Sequence, residues 1–382
     1  MKLKFLLNTI ILLIVQSNKA QPTLKVDSQP QCYSWAIVGA GLAGITALAV
    51  LIDNGVDPST VAWIDPEFNV GRVGKYYRNV PGNVQASRLI LYVNTCPFFK
   101  QINPSAFDKL YSCDPNEFQP LHVIVDPLVD FTDYLASMVT PIKDSINSLD
   151  YDNNHWVLNG TDYTINAQKV ILAIGAHPRR LNYDITEIPL DDALDQDKLA
   201  TLVSPNDRVA VFGGMHSAIL MLKYLSECSV KQIINFYVEP YFYDAPGLEG
   251  ITAAYAKNVL EQDPPGNLIR LLNIAENRNT ILPLCTKVIY AIGYEPNPIL
   301  VNGSTRLAFN EDTGMITQDL YGIGIAFPPT GIINGHKIAK NGLHTYLNYA
   351  KKLIPQWITN ERFKEPVPSF EIIDKHPDLP WI

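Results

Sequence analysis

Apolar residues along this chain gather in short unbroken runs. Trp35–Val38, Val61–Asp65, Val209–Phe212 and Gln232–Val238 are the clearest. Runs without alternation predict parallel strands covered on both faces. After Val38 and after Phe212 come glycines, then stretches with helical spacing, about Leu42–Asn54 and Ser217–Cys228. The unit strand, glycine turn, helix, strand therefore occurs twice, with Gly39 and Gly213 in matching places. Asn54-Gly55 stops the first helix. Between the units, Val139–Ala173 carries Asn-Gly and Asn-Ala turns and predicts an antiparallel meander. Thr286–Tyr294 and Leu320–Phe327 predict further buried strands, and a helix is expected over about Asn334–Leu353.

Length and composition then set the class. The chain has 382 residues, 47% hydrophobic and 18% charged, enough for two globular domains. Lys2 and Lys4 precede the apolar run Phe5–Val15, and a polar stretch ends at Ala20. That order predicts a secretory signal over residues 1–20, and so a secreted, periplasmic or secretory-lumen protein. The alternative is a membrane anchor formed by residues 5–15. Loss of residues 1–20 removes three lysines and no acid, taking the formal charge from −8 to −11. An acidic surface argues against nucleic acid as a partner. The five cysteines include no C-x-x-C pair, which argues against a catalytic dithiol. Cys96 and Cys113 are candidates for a disulfide in an oxidising compartment.

The first glycine turn reads Gly39-Ala40-Gly41-Leu42-Ala43-Gly44, after a strand and opening a helix. Gly39 allows the tight turn, Gly41 lets backbone approach a pyrophosphate, and Gly44 lets helix and strand pack closely. The helix N-terminus offers free N–H groups and partial positive charge to phosphate. Asp65 ends the second strand, where a carboxylate can accept ribose hydroxyls. The residues thus predict a dinucleotide site.

The segment after Asp65, Phe68–Ser87, resembles the corresponding stretch of two-dinucleotide flavoproteins. Gly71, Gly74 and Tyr76 hold places similar to their Gly-Gly-x-Trp motif, followed by Pro81, Gly82 and Ser87. Val170–Leu181, with Gly175, and Val288–Pro298, with Gly293, resemble the two hinges of that group. The ordered series resembles pyridine-nucleotide oxidoreductases and flavin-containing monooxygenases over roughly residues 33–350. The resemblance implies an α/β protein of two Rossmann-like three-layer domains, the NAD(P) domain inserted into a discontinuous FAD domain. It places the FAD domain at 30–180 and 285–354, the NAD(P)-like domain at 181–284, and a C-terminal strap at 355–382. FAD is the implied cofactor, with Arg72 a candidate to neutralise phosphate or reduced flavin. Asn94 stands where monooxygenases of this kind place an asparagine near the flavin, and is the only catalytic candidate.

The second turn departs from the pattern. Where the family carries Gly-Gly-Gly-x-Ser-Ala, this chain has Gly213-Gly214-Met215-His216-Ser217-Ala218. Glu239 follows Gly213 at the offset by which Asp65 follows Gly39. A carboxylate there favours a free ribose 2′-hydroxyl, so NADH is expected over NADPH. The implied activity is an FAD-dependent oxidoreductase reduced by NAD(P)H, passing electrons to O2 or a small acceptor. Met215, and the missing Asp in the run Gly322–Pro328, keep two alternatives open: a nicotinamide-independent oxidase, and a non-catalytic FAD-binding scaffold.

Overall fold

The computed structural model describes residues 32–101, 104–238, 248–333 and 336–359. The expected signal or anchor, Glu239, and the tail beyond Thr359 lie outside the described residues. Strand β1 (Cys32–Val38) leads through the first glycine turn into helix α1 (Leu42–Asp53) and strand β2 (Val61–Ile64). Helices α2 (Ala86–Thr95) and α3 (His122–Met138) follow, then β3 (Thr140–Ile142) and the meander β4 (Ile146–Asp152), β5 (His155–Gly160) and β6 (Thr164–Leu172). A short strand β7 (Ala176–Pro178) leaves this body. Strands β8 (Thr186–Glu187) and β9 (Arg208–Phe212), helix α4 (His216–Glu227), and strands β10 (Gln232–Tyr237), β11 (Leu268–Leu272) and β12 (Lys287–Tyr290) form the second. The chain returns through β13 (Tyr294–Pro296) to β14 (Leu300–Val301), β15 (Met315–Thr317), β16 (Leu320–Gly322) and helix α5 (Leu343–Thr359).

The first sheet has nine strands. Its parallel part runs β3-β2-β1-β6-β16, and β5 and β4 continue antiparallel from the first half of β6. The second sheet has five strands, all parallel, in the order β8-β12-β9-β10-β11. The expected boundary at 284/285 put Lys287–Tyr290 in the first body. Instead β12 pairs with β9 near the centre of the second sheet. Its apolar side chains serve either sheet equally, so composition could not assign it.

Both sheets carry core on both faces, which is why their strands do not alternate. Ile37, Trp63 and Ile171 pack on α1, α3 and α5, and Ala36, Ile64, Val170 and Leu172 pack with Leu149, Trp156 and Leu320. In the second sheet Val209, Val211 and Ile289 face α4, while Phe212, Phe236 and Val288 form the opposite core. Helix α1 is buried from Ala43 to Leu51 and apolar on every side, as expected of a helix sandwiched between layers. The expected helix over Asn334–Leu353 begins later: Thr330–Ile333 and His336–Ala339 form a hairpin first. It also runs through Pro355. Burial of Leu353, Ile354 and Trp357 around that residue outweighs the roughly 3 kcal/mol cost of an interior proline. Among the described residues no helix is long and apolar enough to cross a membrane.

Candidate functional site

The glycines of the first turn divide by what requires them. Gly39 sits at φ +108°, and a side-chain carbon there would lie 2.3 Å from the Ala173 carbonyl oxygen. At Gly44 the same carbon would lie 1.9 Å from the Gly39 oxygen. Both glycines are demanded by the fold. Gly41 is not. It has extended backbone, φ −79° and ψ −176°, and an added carbon would meet nothing nearer than Gly71 Cα at 3.8 Å. Gly71, at φ +60°, faces it in turn. The fold leaves Gly41 without a reason to be glycine, and a pyrophosphate lying against the turn supplies one. This cradle, at the start of a 12-residue helix, fits FAD.

Asp65 is at the expected strand end and buried, but its carboxylate is already engaged. Oδ2 accepts the Ala40 N–H at 2.7 Å, and Oδ1 accepts those of Glu67 at 2.8 Å and Phe68 at 2.7 Å. A carboxylate offers about four lone-pair positions, so one is left for a ribose hydroxyl. Trp63, which the sequence did not single out, donates Nε1–H to the Gly39 carbonyl at 3.0 Å and fixes the turn from beneath. Gly324, at φ +90°, packs its backbone on Ala43 of α1.

Three expected residues are drawn elsewhere. Arg72 donates Nε–H to the Ala176 carbonyl at 3.0 Å and pairs with Asp191 on the short helix Leu190–Ala193. Tyr77 also donates to Asp191, and Tyr294 donates to Tyr77 at 3.1 Å. Burial, with Tyr294 and Asp191 alongside, pushes the Tyr77 phenol far above its ordinary value, so it stays a donor. Arg72 therefore ties the first body to the second. Tyr76 is exposed and stacks with the Arg72 guanidinium, 5.3 Å from its ring centre. Asn94 lies on the exposed side of α2, its Oδ1 accepting from Tyr111 at 3.0 Å. Cys96 and Cys113 are not bridged: the first thiol donates to Asp53 and the second to the Lys109 carbonyl. Burial, with Asp53 beside it, pushes the Cys96 thiol up to about 12, which removes it as a nucleophile.

The second turn repeats the fold-demanded features and drops the other one. Gly213 sits at φ +123°, with a side-chain carbon excluded by the Ala291 oxygen at 2.2 Å. Ala218 takes the place of Gly44. Asn235 donates Nδ2–H to the Gly213 carbonyl at 2.8 Å, as Trp63 does to Gly39. Met215 occupies the place of Gly41 with similar extended backbone, φ −107° and ψ −167°, and the residue is 42% exposed. Gly214 needs no glycine conformation; its nearest neighbour would be Tyr237 Cβ at 3.6 Å. Beside the turn a cleft of about 160 Å³ opens, lined by His216, Ser217 and Thr252 from the second body and Tyr77, Gly82 and Tyr294 around them. His216 Nδ1 shares a 2.7 Å hydrogen bond with Thr252 Oγ1.

Gly175 and Gly293, at φ +69° and +88°, turn the two hinges toward each other. Strands β7 and β13 pair antiparallel there. Asn297 donates Nδ2–H to the Ile174 carbonyl at 2.7 Å, and its Oδ1 lies 3.1 Å from His177 Nδ1. Asn297 and His177 carry no sequence signal beyond proximity to the hinges.

Two nucleotide-type turns on two parallel sheets, joined by a paired hinge, define a protein with two dinucleotide-binding domains. The family model for pyridine nucleotide-disulphide oxidoreductases matches residues 33–322, and the chain belongs to that family. It is an FAD-dependent oxidoreductase, of a family that uses FAD and NAD(P). Monooxygenase AgnR1 of Paecilomyces divaricatus is 27% identical over 392 residues, covering 87% of this chain and 99% of that protein. Among solved structures, the cadaverine monooxygenase DfoA of Erwinia amylovora aligns with a TM-score of 0.59 at 13% identity, covering 87% of this chain and 95% of that one. The bacillithiol disulfide reductase Bdr of Staphylococcus aureus aligns at 0.56 and 12%, covering 86% and 98%. At these identities the two structures share the fold.

Proposed function

We propose that the chain holds FAD in the cradle of Gly39, Gly41, Gly71 and Asp65, takes reducing equivalents from a nicotinamide dinucleotide at the second turn, and passes them to O2 while oxidising a small organic substrate. The observation that carries the FAD assignment is Gly41, a glycine the fold does not need, facing Gly71 across an open cradle. Bound FAD would supply the electron transfer, which no side chain can perform. The protein's share is to hold and orient. The start of α1 presents N–H groups to the pyrophosphate, and Asp65 presents its remaining lone pair to the ribose. At the second turn the start of α4, with Ser217 and His216, faces the cleft shared with Tyr77 and Tyr294. Tyr77, held protonated, keeps a hydroxyl on the cleft wall.

O2 as acceptor is favoured by the monooxygenase relative, which aligns over nearly its whole length, and by the lack of any C-x-x-C pair. We also read residues 1–20 as an export signal. The deciding experiment is anaerobic mixing of the yellow holoenzyme with NADPH and with NADH while following the flavin absorbance. Bleaching by either supports the reading. If neither bleaches the flavin, in wild type or in Met215→Gly, the second turn is a structural remnant and a nicotinamide-independent oxidase replaces the proposal.

A further inference from the structure

Among the described residues, six that are not glycine sit at positive φ. Asn153, Asn154, Asn302 and Asp319 are of the two kinds whose short polar side chains reach this region at little cost. The other two, Phe68 at φ +54° and Val70 at φ +53°, both lie in the loop between Asp65 and Gly71. A β-branched residue crowds its own backbone there, so Val70 is a strained position. Val70 is also fully buried, and Phe68 nearly so.

Two residues at the end of β2 hold this loop and the first glycine turn together. Trp63, whose Nε1–H holds the Gly39 carbonyl, meets the Phe68 ring edge-on, 5.1 Å between centres and 86° between planes. Asp65 accepts the Ala40 N–H of the turn on one oxygen and the Glu67 and Phe68 N–H groups of the loop on the other. Beyond Phe68 the chain packs onto the short helix Gly71–Tyr76, where a side-chain carbon at Gly74 would lie 2.0 Å from the Asn69 oxygen. Gly71 then follows Val70 at φ +60°, and a side-chain carbon on it would lie 3.0 Å from Gly41 Cα. The strained residue therefore stands directly before the glycine that forms the far wall of the cradle. Rotating Val70 to a negative φ would redirect the chain as it enters Gly71.

We infer that Val70 is a positioning residue for FAD: its buried side chain holds the loop in a left-handed backbone, and so keeps Gly71 facing Gly41 before the cofactor arrives. The inference rests on the reading that FAD lies in this cradle. Burial of the isopropyl group offsets the backbone strain, and a cradle already formed spares FAD the cost of ordering it. Strain and packing rank small replacements in opposite orders. Alanine gives up the burial and keeps the crowding at positive φ, so the loop relaxes away. Glycine gives up the burial too, but adopts positive φ freely. If packing alone mattered, glycine would do at least as much harm as alanine.

The test is titration of the full chain, stripped of flavin, with FAD, followed by the change in flavin fluorescence, beside urea unfolding of the same proteins. Val70→Ala should weaken FAD about tenfold or more, Val70→Gly by less than Val70→Ala, and Val70→Ile, which keeps branch and burial, by no more than about threefold. Wild-type affinity in Val70→Ala, a loss in Val70→Gly as large as in Val70→Ala, or no recovery in Val70→Ile overturns the inference. If Val70→Ala does not fold, Phe68→Leu keeps an apolar side chain but takes the ring edge from Trp63. It should weaken FAD by more than about threefold while still unfolding cooperatively in urea; unchanged affinity overturns the inference. Gly41→Val separates this result from the reading beneath it. Flavin retained there refutes the cradle and the inference with it, whereas flavin lost there but bound normally by Val70→Ala refutes the inference alone.

Discussion

At the scale of single residues, the glycines separate into those the backbone needs and those a ligand needs, and the two kinds should fail differently. Gly39→Ala and Gly44→Ala each drive a carbon into a backbone oxygen and should lower stability by about 3 kcal/mol or more, seen as a large fall in urea midpoint. The first side-chain carbon of Gly41→Val meets no such clash, and φ −79° is allowed. It should fold with a midpoint near wild type but come off the column colourless. A Gly41→Val protein that keeps its flavin would refute the cradle. The same logic explains Met215, the one replacement at a position the fold leaves free. With backbone N–H groups uncovered in Met215→Gly, NADH and NADPH should each bind about ten- to a hundredfold tighter by calorimetry, the worth of a charge-assisted phosphate contact of roughly 1.5–3 kcal/mol. Unchanged affinity would mean that the exposed Met215 side chain already stands aside.

At the scale of elements, the joints between sheets and strands carry the buried charge. Asp207, at the mouth of β9, lies between Thr286 and Lys287 of the neighbouring strand region and Ser204 of its own loop. Burial raises its carboxyl, but hydrogen bonds from Thr286, Lys287 and Ser204 outweigh that and hold it at about 2. A depressed folded value stabilises the protein fully above the ordinary carboxylate value, and that stability is lost as pH falls from about 4 through 2. Thermal midpoints of wild type and Asp207→Asn should therefore converge over that window and differ above it; parallel curves would exclude the role. The link between bodies is the group of Arg72, Tyr77 and Asp191. Asp191→Ala leaves a partly buried guanidinium and a phenol without their shared acceptor, and should cost about 1–3 kcal/mol in urea unfolding. Arg72 carries a glycine-flanked motif position, and the sequence assigned it to the cofactor on that ground. Its partner lies 119 residues away, and local spacing holds no trace of such a contact.

At the scale of the whole molecule, two similar α/β bodies have been set to different tasks. The first keeps every glycine and its strand-end acid; the second keeps the glycine its fold requires and changes what faces outward. The purified protein should be yellow, and the released flavin should be FAD by chromatography, since Asp65 has an adenosine ribose to hold. FMN, which lacks that ribose, would contradict the site. Exported protein should begin near residue 21 by N-terminal sequencing if residues 1–20 are a signal. Intact residues 1–20 on membrane-bound protein would favour the anchor instead.

The sequence by itself determined the repeated strand, turn and helix, the parallel sheets with two covered faces, and the FAD turn. These depend on interactions within a few residues: a φ that only glycine adopts readily, a close approach to a carbonyl, an unbroken apolar run. Only the tertiary structure decided which residue ends β10, because strand register is set by hydrogen bonds between neighbours: Phe212 lies opposite Phe236 as Val38 lies opposite Ile64, so Tyr237 follows where Asp65 does. It alone gave β12 to the second sheet, set Arg72 against Asp191, and brought Arg270 over Tyr237 from 33 residues downstream. Those outcomes depend on which strands pack side by side, and composition and local pattern are the same whichever neighbour is chosen.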